Sequence, residues 1–142
     1  MIKIIAGGRK NKGWIQEACE DYEKRLKKPF NIEWDFVDED KLPAKVLNLP
    51  KDKFVVLLDE NGKEMNSVEF AAIFDDCFVN SKEVVFVVGG AFGHFPTELK
   101  TRANFILSLS KMVFPHQICR LILVEQIYRA QEIRHDGKYH HA

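Results

Sequence analysis

Short apolar runs alternate with longer amphipathic stretches along this chain. Runs that are apolar almost throughout predict buried strands, and they cover residues 2–6 (IKIIA), 54–58 (FVVLL), 84–88 (VVFVV) and 105–109 (FILSL). Residues 32–37 (IEWDFV) instead alternate apolar and polar side chains, which predicts a half-buried strand. The pattern therefore predicts five strands.

Apolar residues at helical spacing occupy the intervals between these strands. They predict a helix over residues 13–27 that ends before Pro29, and a second helix that Ser67 caps at its amino end. Residues 96–102 predict a short helix that begins at a proline, and residues 116–133 predict the longest helix.

Strands that alternate with helices indicate an α/β fold, because consecutive βαβ units build a mostly parallel sheet flanked by helices on both faces. Residues 38–52 are charged and contain two prolines, so they leave room for a short helix at most, and residues 59–63 predict a turn. A length of 142 residues is that of one ordinary domain. We therefore expect residues 1–142 to form a single domain.

Composition narrows the class of protein. Hydrophobic residues make up 46% of the chain, which supports a sizeable core and excludes a disordered protein. No apolar run approaches the length of a membrane-spanning helix, and the first 14 residues do not resemble a signal peptide, so we expect a cytoplasmic protein without a membrane partner. Three cysteines lie far apart without CxxC spacing, which predicts reduced structural thiols and no zinc site at Cys19, Cys77 and Cys119.

The formal net charge of zero conceals an uneven distribution. Residues 54–98 carry 2 basic and 8 acidic side chains, whereas residues 99–142 carry 7 basic and 3 acidic ones and four of the five histidines. Such asymmetry within one domain indicates a surface near the C-terminus that faces a polyanion.

Three strand ends are candidates for a ligand site, because open α/β sheets bind ligands beyond the carboxyl ends of their strands. They are Leu58-Asp59, the glycine loop at residues 89–93 (GGAFG), and residues 109–115 (LSKMVFP). The glycine loop fits either a tight turn or a close approach to a ligand. Its spacing and its place after the fourth strand argue against a dinucleotide site.

The segment after the fifth strand is unusually apolar for a connection. Met112, Val113 and Phe114 either pack beneath the domain or line a pocket for something flat and apolar. From the residues alone, both interpretations stay open.

The last predicted helix carries several polar candidates. His116 and Arg120 share a face, and His116 directly after Pro115 fits a capping role as well as chemistry. Glu125 and Arg129 are four residues apart, which is typical of a local ion pair. No second ligand at helical spacing accompanies His116, so we expect no metal site.

Four segments taken together resemble the ribosomal RNA large subunit methyltransferase H family of the SPOUT (α/β-knot) methyltransferases. They are LDENGK at 58–63, VVGGAFG at 87–93, LSLSKMVFPHQICRLILVEQIYRAQEI at 107–133 and the final YHH. The opening IKIIAGGR and the YEKRL segment extend the resemblance over essentially the whole chain. It implies a trefoil knot in the C-terminal half and a homodimer.

The resemblance also implies an activity and a cofactor. Members transfer a methyl group from S-adenosylmethionine to N3 of a pseudouridine in 23S rRNA on assembled ribosomes. Carried over to this chain, the cofactor positions are Leu58, Gly89, Leu109, Ser110, Lys111, Met112, Val113 and Phe114. The apolar loop would then receive the adenine and the methionine of the cofactor.

Deprotonation of N3 needs a base or a cation that stabilises the resulting anion. We rank His140 and Tyr139 first, because a polar chain end can close over a cofactor pocket, with Arg129, Arg134 and His116 as further candidates. Relatives usually carry a lysine or arginine after Tyr-His, where this chain has His141 and Ala142, and residues 38–53 are shorter than in relatives.

Two other functions remain open on sequence grounds. One is a non-catalytic RNA-binding or ribosome-binding module with the same fold. The other is a nucleotide-binding or phosphate-binding enzyme that uses the glycine loop. Only the methyltransferase should bind S-adenosylmethionine.

Overall fold

A computed structural model describes residues 1–89 and 95–135 as five strands and five α-helices. The strands are β1 (Ile2–Gly7), β2 (Ile32–Val37), β3 (Phe54–Glu64), β4 (Val84–Val88) and β5 (Phe105–Ser108). The helices are α1 (Gly13–Glu23), α2 (Leu42–Leu47), α3 (Ser67–Val79), α4 (Thr97–Arg102) and α5 (His116–Arg134), and a 3-10 turn at Glu39–Lys41 precedes α2.

All strand pairs in the single sheet are parallel, in the order β2-β1-β4-β3-β5. The predicted α/β class with a mostly parallel sheet is therefore confirmed. The trefoil knot that the family resemblance implies stays a prediction.

Helices cover both faces of the sheet, as the apolar strands require. Successive residues of β4 alternate between two cores. Phe86 belongs to the core under α1, α3 and α5, together with Phe74 of α3 and Leu123 of α5. Val85 belongs to the smaller core under α2 and α4, together with Leu99 of α4.

Several predicted boundaries were wrong at their ends. Helix α1 ends at Glu23, not at residue 27, and β5 ends at Ser108, not at residue 109. The amino cap of α3 is Asn66, not Ser67. Asn66 Oδ1 accepts from the Glu69 N–H at 2.8 Å while Glu69 Oε1 accepts from the Asn66 N–H at 3.0 Å, so the two residues form a reciprocal capping box.

Strand β3 continues through the residues for which we predicted a turn. Leu58 and Lys63 both align with Leu107 of β5, so the residues between them bulge out of the ladder. The Asn61 N–H donates to Asp59 Oδ1 at 2.9 Å within this bulge. Turn-forming residues therefore make a bulge here, since pairing resumes on the same neighbour strand.

The bulge brings Gly62 against the backbone of β5. A Cβ atom at Gly62 would lie 2.5 Å from the carbonyl oxygen of Ile106, whereas a Cβ at Gly13 would meet nothing within 4 Å. We expect Gly62→Ala to lower the free energy of unfolding by about 1–3 kcal/mol, because backbone cannot give way as a side chain can. Gly13→Ala, the matched control, should be neutral or stabilising by up to about 1 kcal/mol. Urea titration of both variants checks this, and equal stability of the two would contradict it.

The predicted structural role of the cysteines is confirmed. All three are free thiols, with Cys19 and Cys77 buried and Cys119 half-buried. Burial raises the pKa of Cys19 to about 12 and raises the pKa of Cys77 and Cys119 as well. These thiols stay protonated, so none is suited to act as a nucleophile. Within the described ranges, no helix is long and apolar enough to cross a membrane.

Candidate functional site

The carboxyl ends of β4 and β5 lie on either side of the middle of β3. Leu58 of β3 aligns with Val88 of β4 on one side and with Leu107 of β5 on the other. Gly89 directly follows Val88, and the 109–114 loop directly follows β5. The three segments singled out from the sequence therefore meet, although Leu58-Asp59 is followed by a bulge within β3 and is not the end of that strand. Residues 90–94, the rest of the glycine loop, lie outside the described residues.

Side-chain hydrogen bonds shape the 109–114 loop. The buried Ser108 hydroxyl donates to the Ser110 carbonyl at 2.8 Å, and the Met112 N–H donates to Ser110 Oγ at 3.0 Å. At the far end, the Cys119 thiol of α5 donates to the Phe114 carbonyl at 3.7 Å. The loop thus has a defined backbone path although it is not regular secondary structure.

Apolar side chains of this loop face outward. Met112 is 72% exposed and Val113 is 75% exposed, while Leu109 and Phe114 are half-buried. Of the two interpretations left open by the sequence, packing beneath the domain is therefore wrong for Met112 and Val113. Exposed apolar side chains on an ordered loop leave a surface that a flat apolar group can cover.

An acidic side chain directly follows Leu58 at this edge of the sheet. The Asp59 side chain is only 9% exposed, and its carboxylate is 3.9 Å from Lys100 Nζ of α4. Lys111 of the loop is 88% exposed and lies 4.0 Å from the Glu64 carboxylate. The edge thus holds both charge signs around the apolar loop.

His116 begins α5 immediately after this loop. A capping role, one of the alternatives left open for it, is not found, because Pro115 is the N-cap residue of α5 and no side-chain cap hydrogen bond is present. Partial burial lowers the pKa of His116, and the charges of Arg120 and Lys12 lower it further, against a smaller opposing effect of Glu39. The imidazole is therefore neutral at neutral pH and able to accept a proton.

Arg120 is buried completely, which the hydrophobic pattern of the sequence did not predict. Its Nη1 donates to the Arg9 carbonyl at 2.7 Å and to Asn11 Oδ1 at 3.2 Å, and its Nη2 donates to the Gly7 carbonyl at 2.9 Å. The guanidinium also lies over the Phe36 ring, 5.5 Å from its centroid. An arginine among apolar helix positions was the only sequence signal for this contact.

Two glutamines extend the junction between α5 and α1. Gln117 Oε1 accepts from the Lys12 N–H at 3.1 Å, next to the start of α1. Gln131 Oε1 accepts from the Lys27 N–H at 2.7 Å, and its Nε2 donates to the Arg25 carbonyl at 3.0 Å, beyond the end of α1. Helix α5 thus holds both ends of the α1 segment in place.

Of the remaining catalytic candidates, the two described ones lie along α5 away from the 109–114 loop. Arg129 forms the predicted ion pair, 2.6 Å from Glu125, and its position is about 20 Å along α5 from His116. Arg134 Nε is 2.6 Å from Asp75 of α3. Tyr139 and His140 lie outside the described residues.

The basic residues of the C-terminal third are mostly engaged within the chain. Lys100, Lys111, Arg129 and Arg134 each lie within 4.0 Å of a carboxylate. Two further arginines of this third, Arg102 and Arg120, donate to backbone carbonyls. The expected polyanion-facing surface stays a prediction, because Lys111 is 88% exposed and Lys138 lies outside the described residues. In the part of the chain that the structure describes, no group of three or more potential metal ligands occurs.

Comparison with known proteins agrees with the resemblance drawn from the motifs. The family model described as "Predicted SPOUT methyltransferase" matches residues 1–140. A Caldicellulosiruptor bescii protein named ribosomal RNA large subunit methyltransferase H is 36% identical over 99% of both chains. A relative of the same name from Prochlorococcus marinus strain MIT 9303 is 42% identical over 98% of this chain and 91% of its own.

Among solved structures, the Legionella pneumophila methyltransferase Lpg2936, determined with bound SAM, aligns over 91% of this chain and 66% of that chain. Its TM-score is 0.49 at 13% identity. The family model matches residues 1–140, and the two curated relatives are 36% and 42% identical over nearly the whole chain. The chain is therefore a member of the SPOUT methyltransferase family.

Proposed function

We propose that this protein methylates N3 of a pseudouridine in 23S rRNA, on assembled ribosomes in the cytoplasm, with S-adenosylmethionine as the methyl donor. The observation that carries the proposal is the 109–114 loop, an ordered loop with exposed apolar side chains at the carboxyl edge of a SPOUT methyltransferase sheet. The names of the curated relatives support ribosomal RNA as the substrate.

The residues at this edge fit the cofactor. An adenine ring needs an apolar surface and a few backbone groups at its rim, which the outward side chains of Met112 and Val113 and the surrounding loop backbone provide. Gly89 at the end of β4 carries no side chain that would narrow the approach. We assign cofactor binding to Leu58, Gly89, Leu109, Ser110, Lys111, Met112, Val113 and Phe114.

When bound, the cofactor supplies an electrophilic methyl carbon on a sulfonium. For an in-line displacement at that carbon, the task of the protein would be to place the methyl donor and N3 of the acceptor in line. The Ser108 and Ser110 hydrogen bonds serve this task, because they fix the loop before the RNA arrives.

The N3 proton must leave to a base of the protein. On sequence grounds, we assign the role of this base first to His140, together with Tyr139. His116 is the second choice because it is neutral and follows the 109–114 loop directly. Arg129 forms an ion pair with Glu125 and lies far along α5 from the 109–114 loop. Within one protomer we therefore assign it a structural role.

We also propose that the protein is a homodimer formed largely through α5. Leu123, Val124 and Ile127 are fully buried in the monomer core, while Ile118, Leu121 and Ile122 remain partly exposed. A second apolar face on a helix whose first face is already covered is typical of a subunit interface. We expect sedimentation at micromolar concentration to give twice the 16.5 kDa chain mass, and a stable monomer would contradict the interface.

Tritium transfer from S-adenosylmethionine tests the activity. Ribosomes that lack the modification should accept label, and ribosomes that already carry it should not. Binding of ribosomes without labelling and without a cofactor-induced thermal shift would favour a non-catalytic RNA-binding module. A thermal shift with nucleotides or phosphate alone would favour the glycine-loop enzyme.

A further inference from the structure

A short basic segment projects from the carboxyl end of β1. Residues 9–14 (RKNKGW), here called the basic loop, contain three cations and no acidic residue. Arg9, Lys10 and Lys12 are all exposed, and the Trp14 side chain is 60% exposed at the start of α1. A tryptophan this open to water is unusual, because its large apolar rings are normally covered.

The backbone of the basic loop is fixed from inside the protein. The carbonyls of Gly7 and Arg9 accept from Arg120, and Gln117 holds the Lys12 N–H. At its base, Gly8 has a φ of +101°, a conformation that glycine adopts without strain, and its N–H donates to the Val37 carbonyl at 2.8 Å. The main chain is held inward, so the charged side chains are left free to meet solvent or a partner.

The cations of the basic loop differ from those of the C-terminal third. Lys100, Lys111, Arg129 and Arg134 all have a carboxylate nearby, as described above. Among the described residues, Arg9, Lys10 and Lys12 form no ion pair within 4.0 Å. The basic loop therefore combines three exposed cations outside any ion pair with an exposed tryptophan, whereas other exposed lysines such as Lys51 and Lys82 lie at the opposite edge of the sheet.

The basic loop also lies next to the proposed methyl-transfer site. Gln117 and Arg120, which hold it, belong to the first turns of α5, and α5 begins directly after the 109–114 loop. The charge of Lys12 is close enough to lower the pKa of His116. A partner that contacts the basic loop is thus brought to the edge of the sheet where the cofactor positions meet.

An exposed aromatic ring among unpaired cations matches RNA with unstacked bases. Lysine and arginine contact phosphates, and an indole stacks on the face of any unpaired base. We propose that the basic loop is an RNA-docking surface, with its three cations on the phosphate backbone and Trp14 stacked on an unpaired base near the target pseudouridine. This inference rests on the proposed function, whose substrate is RNA.

The test compares three variants with matched controls. Arg9→Gln/Lys10→Gln/Lys12→Gln removes the cations, Trp14→Ala removes the ring, and Trp14→Phe keeps a stacking ring. The control Lys51→Gln/Lys82→Gln removes two exposed lysines next to the amino ends of β3 and β4, the opposite edge of the sheet. Val79→Ala, at an 81% exposed position, is the control for an exposed apolar side chain.

Methyl transfer to assembled ribosomes that lack the modification is measured as a function of substrate and salt concentration. We expect Trp14→Ala and the triple variant each to raise KM by about tenfold or more with kcat within about twofold, the effect of lost stacking or phosphate contacts. Trp14→Phe should recover most of the loss. The slope of log KM against log salt should fall by about two in the triple variant, since each lost phosphate contact removes about 0.7 to 0.9.

Cofactor binding and direct binding of ribosomes distinguish a failure of the RNA-docking surface from a failure of the proposed methyltransferase activity. S-adenosylmethionine should stabilise every variant as it does the wild type. If the wild type transfers no methyl group to these ribosomes, the proposed activity is wrong, and direct measurement of binding to the same ribosomes still tests the basic loop. Unchanged KM and salt slope in the triple variant, or ultraviolet cross-linking of the 9–14 peptide to a ribosomal protein instead of RNA, would overturn the docking surface.

Discussion

Deletion of residues 138–142 is expected to lower methyl transfer to ribosomes by at least ~100-fold, the scale of a lost proton-transfer or positioning group. The same deletion should leave folding and the cofactor-induced thermal shift nearly intact. The deletion removes no residue of the described core, whose last member on α5 is Ile133. Loss of activity without loss of cofactor binding is therefore the expected signature.

Single substitutions assign this effect to a side chain. His140→Ala should reproduce much of the loss, and His141→Ala should have little effect. His135→Ala is the matched control, because this exposed histidine is the C-cap of α5. Full activity of the truncated protein would exclude the final residues as the source of the base, and His116→Gln would then be the next variant to measure.

Gly89→Val is expected to abolish cofactor binding and, with it, methyl transfer. Gly89 follows Val88, which aligns with Leu58, so a side chain at residue 89 would lie next to one of the assigned cofactor positions. Wild-type protein with S-adenosylmethionine or S-adenosylhomocysteine at a hundred times its Kd should gain about 2.7 kcal/mol of stability. The variant should show no gain at millimolar ligand.

Side chains of different size at position 89 give a second test of the same assignment. Gly89→Ala should retain a reduced thermal shift, because one methyl group fills less of the approach than the branched valine side chain. Without ligand, both variants should unfold at nearly the temperature of the wild type, since Gly89 is half-exposed at the end of a strand. A full thermal shift for Gly89→Val would remove Gly89 and its neighbours from the cofactor site.

Much of the architecture was predictable from local patterns. Strands such as β4 are apolar on both faces, and a strand with this composition is stable only between two layers of helices. Helix α5 was predicted to within one residue, because its apolar spacing continues from His116 onward. The strand ends that meet at the site were predictable for the same reason, since parallel strands share one carboxyl edge.

The ends of helices and strands depended on contacts with distant segments, which the local sequence pattern does not show. Asn66 caps α3 in place of Ser67, whose hydroxyl instead donates to Gln126 of α5 at 2.7 Å. The residues of the predicted turn at 59–63 became a bulge, because β3 pairs with β5 again beyond them. In both cases a contact with a distant segment decided the outcome.

The sequence by itself determined the α/β class, the parallel sheet and the edge at which the candidate site lies, because each follows from hydrophobic periodicity and strand polarity. Only the tertiary structure decided which charges are available. Arg120 contacts residues more than 100 positions away and is withdrawn from solvent, while Arg9, Lys10 and Lys12 are left exposed. A charge count cannot distinguish these cases, because burial and pairing depend on segments that meet only when the chain folds.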